Sequence, residues 1–450
     1  MSVFDLQSTI VAVATPIGVG GIAIVRLSGD KAVSIADTLF MSKNKKRPST
    51  FKKRELVYGD FLSESVSDEC MCVVFDKNSF TGEQTVEFQV HGGIKIADLI
   101  VGECIKCGAR MARNGEFSLR AYLNGKMGLS EAEGMIDMIN AESDAEIKAG
   151  HTLLKGGLTE KVKEFQARVV DLISEVEVSF DYPEEDIEYI AQNAINEKVD
   201  LLINEIADLI QTYKNGAIIK NGINACLIGK PNVGKSSLLN ALLNRDKAIV
   251  TDIAGTTRDV IEDAFEVRGV KVNILDTAGI RETRDIIERI GVDKSIALIE
   301  QADIVLFIVD GSSPLDEKDA MILKILQDKK YLTIYNKADK IDQQNRTKNG
   351  IYVSAKTGEG IEKLKDTLYN SIIGRGVVSG GLVITNARHK DCLERAKNAL
   401  ITALTNLNTH TLDLIAVDLN DAYTSLGEIT GETSNEIILD AIFSKFCLGK

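Results

Sequence analysis

A glycine-rich octapeptide constrains this chain more than any other feature. Residues 229–236 read GKPNVGKS, which fits the pattern G-x-x-x-x-G-K-S. An apolar run of strand length, INACLIG, leads into the octapeptide, and the run SSLLNALL follows it as a predicted helix. In such a unit, backbone N–H groups surround phosphate oxygens and the helix N-terminus adds its positive end. The sequence therefore predicts a phosphate-binding loop in an α/β domain.

The side chains of this loop have separate predicted roles. We expect Lys235 to reach the β- and γ-phosphates of a nucleotide and Ser236 to ligate Mg²⁺. Gly234 and Ser237 are expected to line the same phosphate cradle. Downstream, Thr256 and Thr257 begin the run TTRD, where a threonine, assigned as Thr257, is expected to cap the magnesium.

Three further motifs follow in order, each after an apolar strand-like run. Asp276-Thr277-Ala278-Gly279 follows VNIL, and we expect Asp276 to hold magnesium through water while the Gly279 amide meets the γ-phosphate. The next two motifs concern the base and are Asn336-Lys337-Ala-Asp339, after YLTIY, and Ser354-Ala355-Lys356, after GIYV. The Asp339 carboxylate would accept hydrogen bonds from N1–H and the exocyclic amine of guanine. Adenine lacks that donor pair, so the sequence predicts binding of GTP rather than ATP.

The residue after Gly279 departs from the pattern of regulatory GTPases. Many of them carry a glutamine there to orient the attacking water, and this chain has Ile280. An apolar side chain cannot orient water. The sequence therefore predicts either slow hydrolysis or a substitute group among the charged residues 281–289.

Changes in periodicity divide the chain into regions. Residues 1 to about 122 have mixed α/β character, and Arg26 is placed just after a short strand, as an ordinary surface arginine on this evidence alone. From about 130 the apolar residues recur with helical spacing, for example Ala132, Met135, Ile136 and Ile139. From about 221, five strand-like runs alternate with helices, which predicts a parallel sheet, and helices return after about 380. We interpret this order as an α/β domain inserted into a helical one.

Composition narrows the functional class. The net charge is −13, although residues 1–120 carry 15 Lys and Arg against 14 Asp and Glu. Tight binding to nucleic acid by this chain alone is not expected, because phosphate neutralisation needs basic residues. If RNA is a substrate, we expect weak contact near the N-terminal part or contact through a partner. Seven cysteines, with no signal-like N-terminus and no long apolar run, indicate a reducing cytoplasm.

Several segments together resemble one family from end to end. They are GKPNVGKSSLLNAL, ATPIGVGGIAIVRLSG, NSFTGEQTVEFQVHGG, ARNGEFSLRAYLNGKMGLSEAEG and the terminal FSKFCLGK. They are similar to the MnmE (TrmE) family of tRNA-modification GTPases. The resemblance implies an α/β Ras-like G domain inserted into an all-α helical domain, with an α+β folate-binding N-terminal domain. The implied ranges are 1–122 for the N-terminal domain, 123–220 and 377–450 for the helical domain, and 221–376 for the G domain.

The resemblance also implies a reaction and its partners. Members form homodimers through the N-terminal domain and act with the FAD-dependent partner MnmG. Together they place a carboxymethylaminomethyl or aminomethyl group on C5 of the wobble uridine of certain tRNAs, with a carbon from a tetrahydrofolate derivative. Potassium replaces an arginine finger, and the matching residues here are Asn232, Thr251, Ile253 and Thr256. Asn232, Thr251 and Thr256 thereby also belong to the predicted nucleotide site. Glu288 matches the catalytic glutamate that aligns the attacking water.

A second implied site takes the folate. Arg26, Glu87, Lys126 and Lys450 match the family's folate contacts. Cys447, in the terminal CLGK, has two open interpretations. It is either a small buried hydrophobic residue or a nucleophile or redox group with a lowered pKa.

Two other classes of GTPase fit the sequence less well. A ribosome-assembly GTPase usually ends in a basic RNA-binding module, whereas the C-terminal region here is predicted as acidic helix. A dynamin-like mechanical GTPase would need an amphipathic or polybasic lipid-binding segment, which the sequence does not show.

Overall fold

A computed structural model describes residues 7–181, 185–243, 261–275, 292–342, 344, 346–347, 350–373, 381–408, 412–433 and 436–450 of the chain. The chain divides into two compact units, one of residues 1–136, 153–200 and 395–450 and one of residues 137–152 and 201–394. None of the described helices combines the length and the apolar character that crossing a membrane requires.

The first unit contains a mixed sheet. Its strands are β1 (Ile10–Val13), β2 (Ile22–Ser28), β3 (Phe40–Ser42), β4 (Val57–Leu62), β5 (Ser67–Phe75), β6 (Thr85–His91) and β7 (Arg110–Met111). Within the described residues the order is β3-β4-β5-β6-β2-β1-β7, and every pair is antiparallel except β1–β7. Side chains of one face pack with helices α1 (Ala32–Leu39) and α2 (Ile94–Lys106) around Phe61, Phe88 and Ile100. This is the α+β architecture that the sequence predicts.

Helices follow this sheet along the chain. They are α3 (Glu116–Leu123), α4 (Leu129–Ile139), α5 (Asp144–Leu154), α6 (Gly157–Asp181), α7 (Glu185–Gln211) and α8 (Tyr213–Asn221). In α4, the predicted apolar stripe is confirmed at Ala132, which is fully buried. It is wrong at Ile139, whose side chain is 42% exposed because it is the last residue of the helix.

The second unit contains the other sheet. Its strands are β8 (Ile223–Ile228), β9 (Ile261–Val267), β10 (Val270–Leu275), β11 (Ile304–Asp310), β12 (Tyr331–Asn336) and β13 (Ile351–Tyr352). Over the described ranges the order is β13-β12-β11-β8-β10-β9. Its helices are α9 (Lys235–Leu243), α10 (Val292–Gln301), α11 (Glu317–Ile325) and α12 (Ile361–Ile373). Helix and strand alternate as predicted, and the α/β class is confirmed.

One strand of this sheet departs from the predicted parallel arrangement. Strand β9 pairs antiparallel with β10, while the other neighbours are parallel. Arg268 and Gly269 form the two-residue turn between them, and both have positive φ, 49° and 81°. Such a turn has the twist that an antiparallel hairpin needs.

Helices close the chain: α13 (Ala387–Asn408), α14 (Leu412–Thr430) and α15 (Glu436–Phe443). Within the first unit, α14 packs along α6. The predicted stripes are buried at Val162, Phe165 and Val169 of α6 and at Ile415 and Leu419 of α14. The sheet of the second unit thus interrupts, along the sequence, a set of helices that resumes after it, as the predicted insertion requires.

Candidate functional site

The glycine-rich loop lies at the carboxyl end of β8, between the parallel strands β10 and β11. At Gly229 a Cβ atom would lie 2.2 Å from the carbonyl oxygen of Ile308, and at Gly234 it would lie 2.3 Å from Nδ2 of Asn336. Gly234 and Asn232 have positive φ, 95° and 63°. Glycine is therefore required twice by close approach, and the backbone turns as a phosphate cradle requires.

Lys235 begins α9, and its side chain folds back over the loop. Its Nζ donates hydrogen bonds to the carbonyl oxygens of Gly229 at 2.8 Å and Lys230 at 2.9 Å. Burial lowers the pKa of Lys235. Ser236 is partly buried in the first turn of α9 and Ser237 is exposed. An ammonium group at a helix N-terminus beside a glycine cradle suits a polyphosphate, and Ser236 is placed to contribute a hydroxyl to Mg²⁺.

Lys230 anchors the loop in a way that sequence reasoning missed. Its Nζ lies 2.8 Å from Asp316 and 2.7 Å from Asp319. Asp316 is also the N-cap of α11, and Asp319 completes a capping box with it. Hydrogen bonds to these carboxylates raise the pKa of Lys230. The sequence signal, a D-x-x-D before an apolar run, predicted a helix start at most.

Asn336 joins the phosphate loop to the predicted base loops. It is 2% exposed, and its Nδ2 donates to the carbonyl oxygen of Val233 at 2.8 Å. Its Oδ1 accepts from the backbone N–H of Ala355 at 3.3 Å. The next residue, Lys337, has φ 62°, and its Nζ lies 2.6 Å from Asp310. The structure thus brings together three of the predicted motifs.

Asp339 has an exposed carboxylate, and one of its two oxygens accepts a hydrogen bond from Ser354. The hydroxyl of Ser354 donates to its Oδ1 at 2.6 Å, and this hydrogen bond lowers the pKa of Asp339. The same Ser354 hydroxyl accepts from the backbone N–H of Thr357 at 3.2 Å. Lys356 is exposed beside this pair. An ionised carboxylate with a free edge toward solvent suits a ligand that presents two adjacent N–H donors.

Part of the predicted nucleotide site lies outside the described residues. This holds for Thr251, Ile253, Thr256, Thr257, Asp276, Thr277, Ala278, Gly279, Ile280 and Glu288.

In the first unit, Arg26 and Glu87 form the pair that the resemblance singles out. They face each other in the register of β2 and β6, and Nε of Arg26 lies 2.7 Å from Oε1 of Glu87. The guanidinium also lies 5.8 Å from the ring centre of Phe80 and 5.7 Å from that of Phe117. The expectation of a surface arginine after a strand is wrong. Arg26 lies within β2 and is 20% exposed, because strand alternation directs it toward these rings.

The C-terminal tail reaches the neighbouring strand. Gly449 has φ 92°, and a Cβ atom there would lie 2.1 Å from the carbonyl oxygen of Val13, at the end of β1. Strand β1 pairs with β2, with Ala12 opposite Arg26. Lys450 is partly buried, whereas Cys447 is exposed, which contradicts its interpretation as a buried hydrophobic residue. The C-terminal tail therefore lies against β1, the strand next to that of Arg26.

Lys126, the remaining residue matched to a folate contact, lies close to Gly82. It is exposed, and its Cε would be 3.2 Å from a Cβ placed on Gly82. Near it, sequence reasoning missed a buried ionic cluster of Glu83, Arg110, Glu116 and Arg120. The spacing of Glu116 and Arg120, four residues apart on one helix, was an available signal for one of its contacts.

Two family profiles and several full-length relatives match this chain. The family profile described as "GTP-binding protein TrmE N-terminus" matches residues 9–126, and the profile "MnmE helical domain" matches residues 129–447. The chain is 40% identical over 458 residues to the tRNA modification GTPase MnmE of Acetivibrio thermocellus, with 99% of each chain covered. It is 41% identical over 462 residues to that of Clostridioides difficile, covering 99% of this chain and 100% of the relative.

Among solved structures, the G domain of the FeoB iron transporter of T. maritima is similar in sequence over part of the chain. It is 31% identical, covers 33% of this chain and 98% of its own, and has a TM-score of 0.25. The assignment rests on the full-length relatives and on the two family profiles. The chain therefore belongs to the MnmE (TrmE) family of tRNA modification GTPases.

Proposed function

We propose that this chain is a potassium-activated GTP hydrolase that acts on tRNA as a homodimer, together with the FAD-dependent partner MnmG. The pair would install a carboxymethylaminomethyl or aminomethyl group at C5 of the wobble uridine, using a carbon from a tetrahydrofolate derivative. The observation that carries the GTP part is the position of Asn336, which contacts both the phosphate loop and the loop of Ser354 and Ala355. Family membership carries the tRNA part.

Each residue of the proposed nucleotide site has a separate role. Lys235 would bind the β- and γ-phosphates, and their negative charge would raise the pKa of Lys235, which burial lowers. Ser236, with Thr257 and Asp276, would hold Mg²⁺, which when bound offsets charge on the phosphate oxygens. Asp339 would select guanine through its two N–H donors, with Ser354 fixing one carboxylate oxygen so that the other stays available.

The potassium site is proposed for Asn232, Thr251, Ile253 and Thr256, and Glu288 is proposed to align the attacking water. The exposure of Asn232 supports its part, because an exposed side-chain amide in the phosphate loop is accessible to a cation. A fixed monovalent cation beside the phosphates would stabilise charge that develops in the transition state. The cation would thereby replace an arginine finger, and Glu288 would orient the water, which Ile280 cannot do.

Potassium dependence provides the test. We expect GTP turnover by the full chain to be about 100-fold faster in potassium than in sodium, the scale of one well-placed electrostatic group. Asn232→Ala should remove most of this difference. Lys324→Ala, which removes an exposed charge from α11, serves as the matched control and should keep it. Equal rates in the two salts for the unaltered chain would refute the potassium role.

The one-carbon site is proposed at Arg26, Glu87, Lys126 and Lys450. A folate needs donors and acceptors for its ring and cations for its glutamate tail, and these four side chains supply both. The approach of the C-terminal tail to β1, beside the strand of Arg26, supports this grouping. The exposure of Cys447 is compatible with a nucleophilic or redox role at the same end of the sheet.

A further inference from the structure

Arg346 lies in the connection between β12 and β13, outside every sequence motif, yet it contacts both predicted base loops. Its Nη2 donates to the carbonyl oxygen of Ala338 at 2.8 Å, next to Asp339. Its Nη1 donates to Oε1 of Glu359 at 2.6 Å, in the loop that follows Ser354. The side chain is only 19% exposed. One planar guanidinium therefore bridges two loops that are 21 residues apart in sequence at these contacts.

These contacts complete a ring of hydrogen bonds that includes the carboxylate of Asp339. The carbonyl oxygen of Glu359 accepts from the backbone N–H of Ser354 at 2.9 Å. The hydroxyl of Ser354 in turn donates to Asp339 at 2.6 Å. Arg346 closes the path from Glu359 back to Ala338, the neighbour of Asp339 in the chain. Each member thus restrains the next, and the carboxylate is restrained from both its side chain and its backbone.

An aromatic pair holds Arg346 in place. The guanidinium lies 5.6 Å from the ring centre of Tyr352, which stacks on Tyr335 with ring centres 4.9 Å apart. The Tyr352 hydroxyl accepts from the backbone N–H of Thr347 at 3.0 Å. Tyr335 and Tyr352 stand on β12 and β13, directly before the two base loops. The strands themselves therefore fix the position from which Arg346 acts.

We propose that Arg346 is a positioning residue for guanine recognition, which fixes the Asp339 carboxylate by joining the loop of residues 336–339 to the loop of residues 354–359. The proposal rests on the nucleotide site proposed above. Guanine offers Asp339 two donors, and a carboxylate that is free to rotate loses part of the gain from the second one. Hypoxanthine keeps N1–H but lacks the exocyclic amine, so a comparison of GDP with IDP isolates that second contact.

Calorimetric titration of the full chain with GDP and with IDP tests the proposal. We expect the unaltered chain to bind GDP more tightly than IDP by at least about tenfold, the value of one hydrogen bond to a charged group. In Arg346→Ala, the affinity for GDP should exceed the affinity for IDP by no more than about threefold, mainly because GDP binds more weakly. Arg346→Lys should fall between the two, because an ammonium keeps the charge but lacks the planar fork that reaches both acceptors.

Controls separate positioning from general damage. Lys324→Ala removes an exposed charge elsewhere in the same unit and should keep the ratio. Glu359→Ala removes the carboxylate that Arg346 binds, so it should lower the ratio of GDP affinity to IDP affinity. The double variant with Arg346→Ala should lower this ratio no further. A loss of affinity that is equal for GDP and IDP, with the ratio intact, would overturn the proposal and leave Arg346 a structural role alone. Failure of the unaltered chain to prefer GDP would instead refute the proposed guanine site itself.

Discussion

At the scale of single residues, the buried charges of the N-terminal sheet show how an ionic cluster is compensated. Arg120 is 1% exposed, and it lies 3.0 Å from carboxylate oxygens of both Glu83 and Glu116 and donates to the carbonyl oxygen of Ser8 at 2.8 Å. Burial alone would raise the pKa of Glu116, but hydrogen bonds from Arg110 and from the backbone N–H of Arg113 outweigh burial and lower it. Each charge is therefore stable only while its partners remain.

Replacement of Arg120 tests this dependence. We expect Arg120→Met to lower the free energy of opening of the α3 and β1 amides by about 3 kcal/mol, because the partly buried Glu83 would lose the Arg120 cation and the buried Glu116 would keep only Arg110. Hydrogen exchange of the full chain measures this locally. Lys53→Met provides the matched control, since Lys53 is an exposed lysine of the same unit. Exchange that is equally slow in both variants would contradict the argument.

The same cluster predicts a pH dependence. Because the folded-state pKa of Glu116 is lowered from 4.5, its contribution to stability is fully present above pH 4.5 and is lost as the pH falls through the folded pKa. In Arg120→Met one of the cations that lower this pKa is gone. The contribution of Glu116 should then be smaller than in the unaltered chain, and its loss on acidification should be complete at a higher pH, as acid titration of stability followed by circular dichroism would show.

Single residues also show where sequence reasoning succeeds and where it stops. Lys235 belongs to one contiguous motif and Asn336 and Asp339 belong to another, so residue type and spacing alone were enough to select them from the sequence. Lys230, Arg120 and Arg346 have partners that are distant in sequence, and a pattern of residue types does not say which carboxylate will meet which cation. Their contacts arise from the packing of whole elements, so they could not be predicted from spacing.

At the scale of elements, strand β9 of the β9–β10 hairpin is the part of the second sheet that the sequence analysis did not predict. Its strand β9 reads IEDAFEV, in which three acidic residues interrupt the apolar ones, as is common at the edge of a sheet. The prediction relied on continuous apolar runs, which identify central parallel strands and miss such an edge. In the second unit, the hairpin also contacts the start of α5 through an ion pair of Lys271 with Glu142 and a 3.0 Å hydrogen bond from Ala145 N–H to Gly269.

The hairpin that makes this contact lies in the sequence between two predicted motifs of the nucleotide site. Residues 256–259 precede β9 and residues 276–279 follow β10, and both carry predicted phosphate-sensing motifs. Lys271→Ala should remove about 1 kcal/mol from the contact and speed exchange of the Ala145 amide about fivefold. Lys214→Ala, an exposed lysine of the same unit, should leave that exchange unchanged. Unaltered exchange in Lys271→Ala would show that the backbone hydrogen bond alone holds the contact.

At the scale of the whole molecule, charge bears on how tRNA would be bound. The net charge is −13, and the slight excess of basic residues falls within residues 1–120. A polyanion is bound tightly only where cations release its counterions, so the rest of the surface disfavours it. This supports the expectation that tRNA would meet the chain at its N-terminal part or through a partner.

The composition of wobble uridine in the cell tests the complete proposal. Mass spectrometry of tRNA from a strain without this gene should show loss of the C5 carboxymethylaminomethyl or aminomethyl group, and a plasmid copy of the gene should restore it. Lys235→Ala should fail to restore the group, because it removes the phosphate contact and so the hydrolysis that drives the reaction. Lys324→Ala, expressed at the same level, should restore it. An unchanged wobble uridine in the deletion strain, together with stable sedimentation of the chain with ribosomes, would instead assign the GTPase to ribosome assembly.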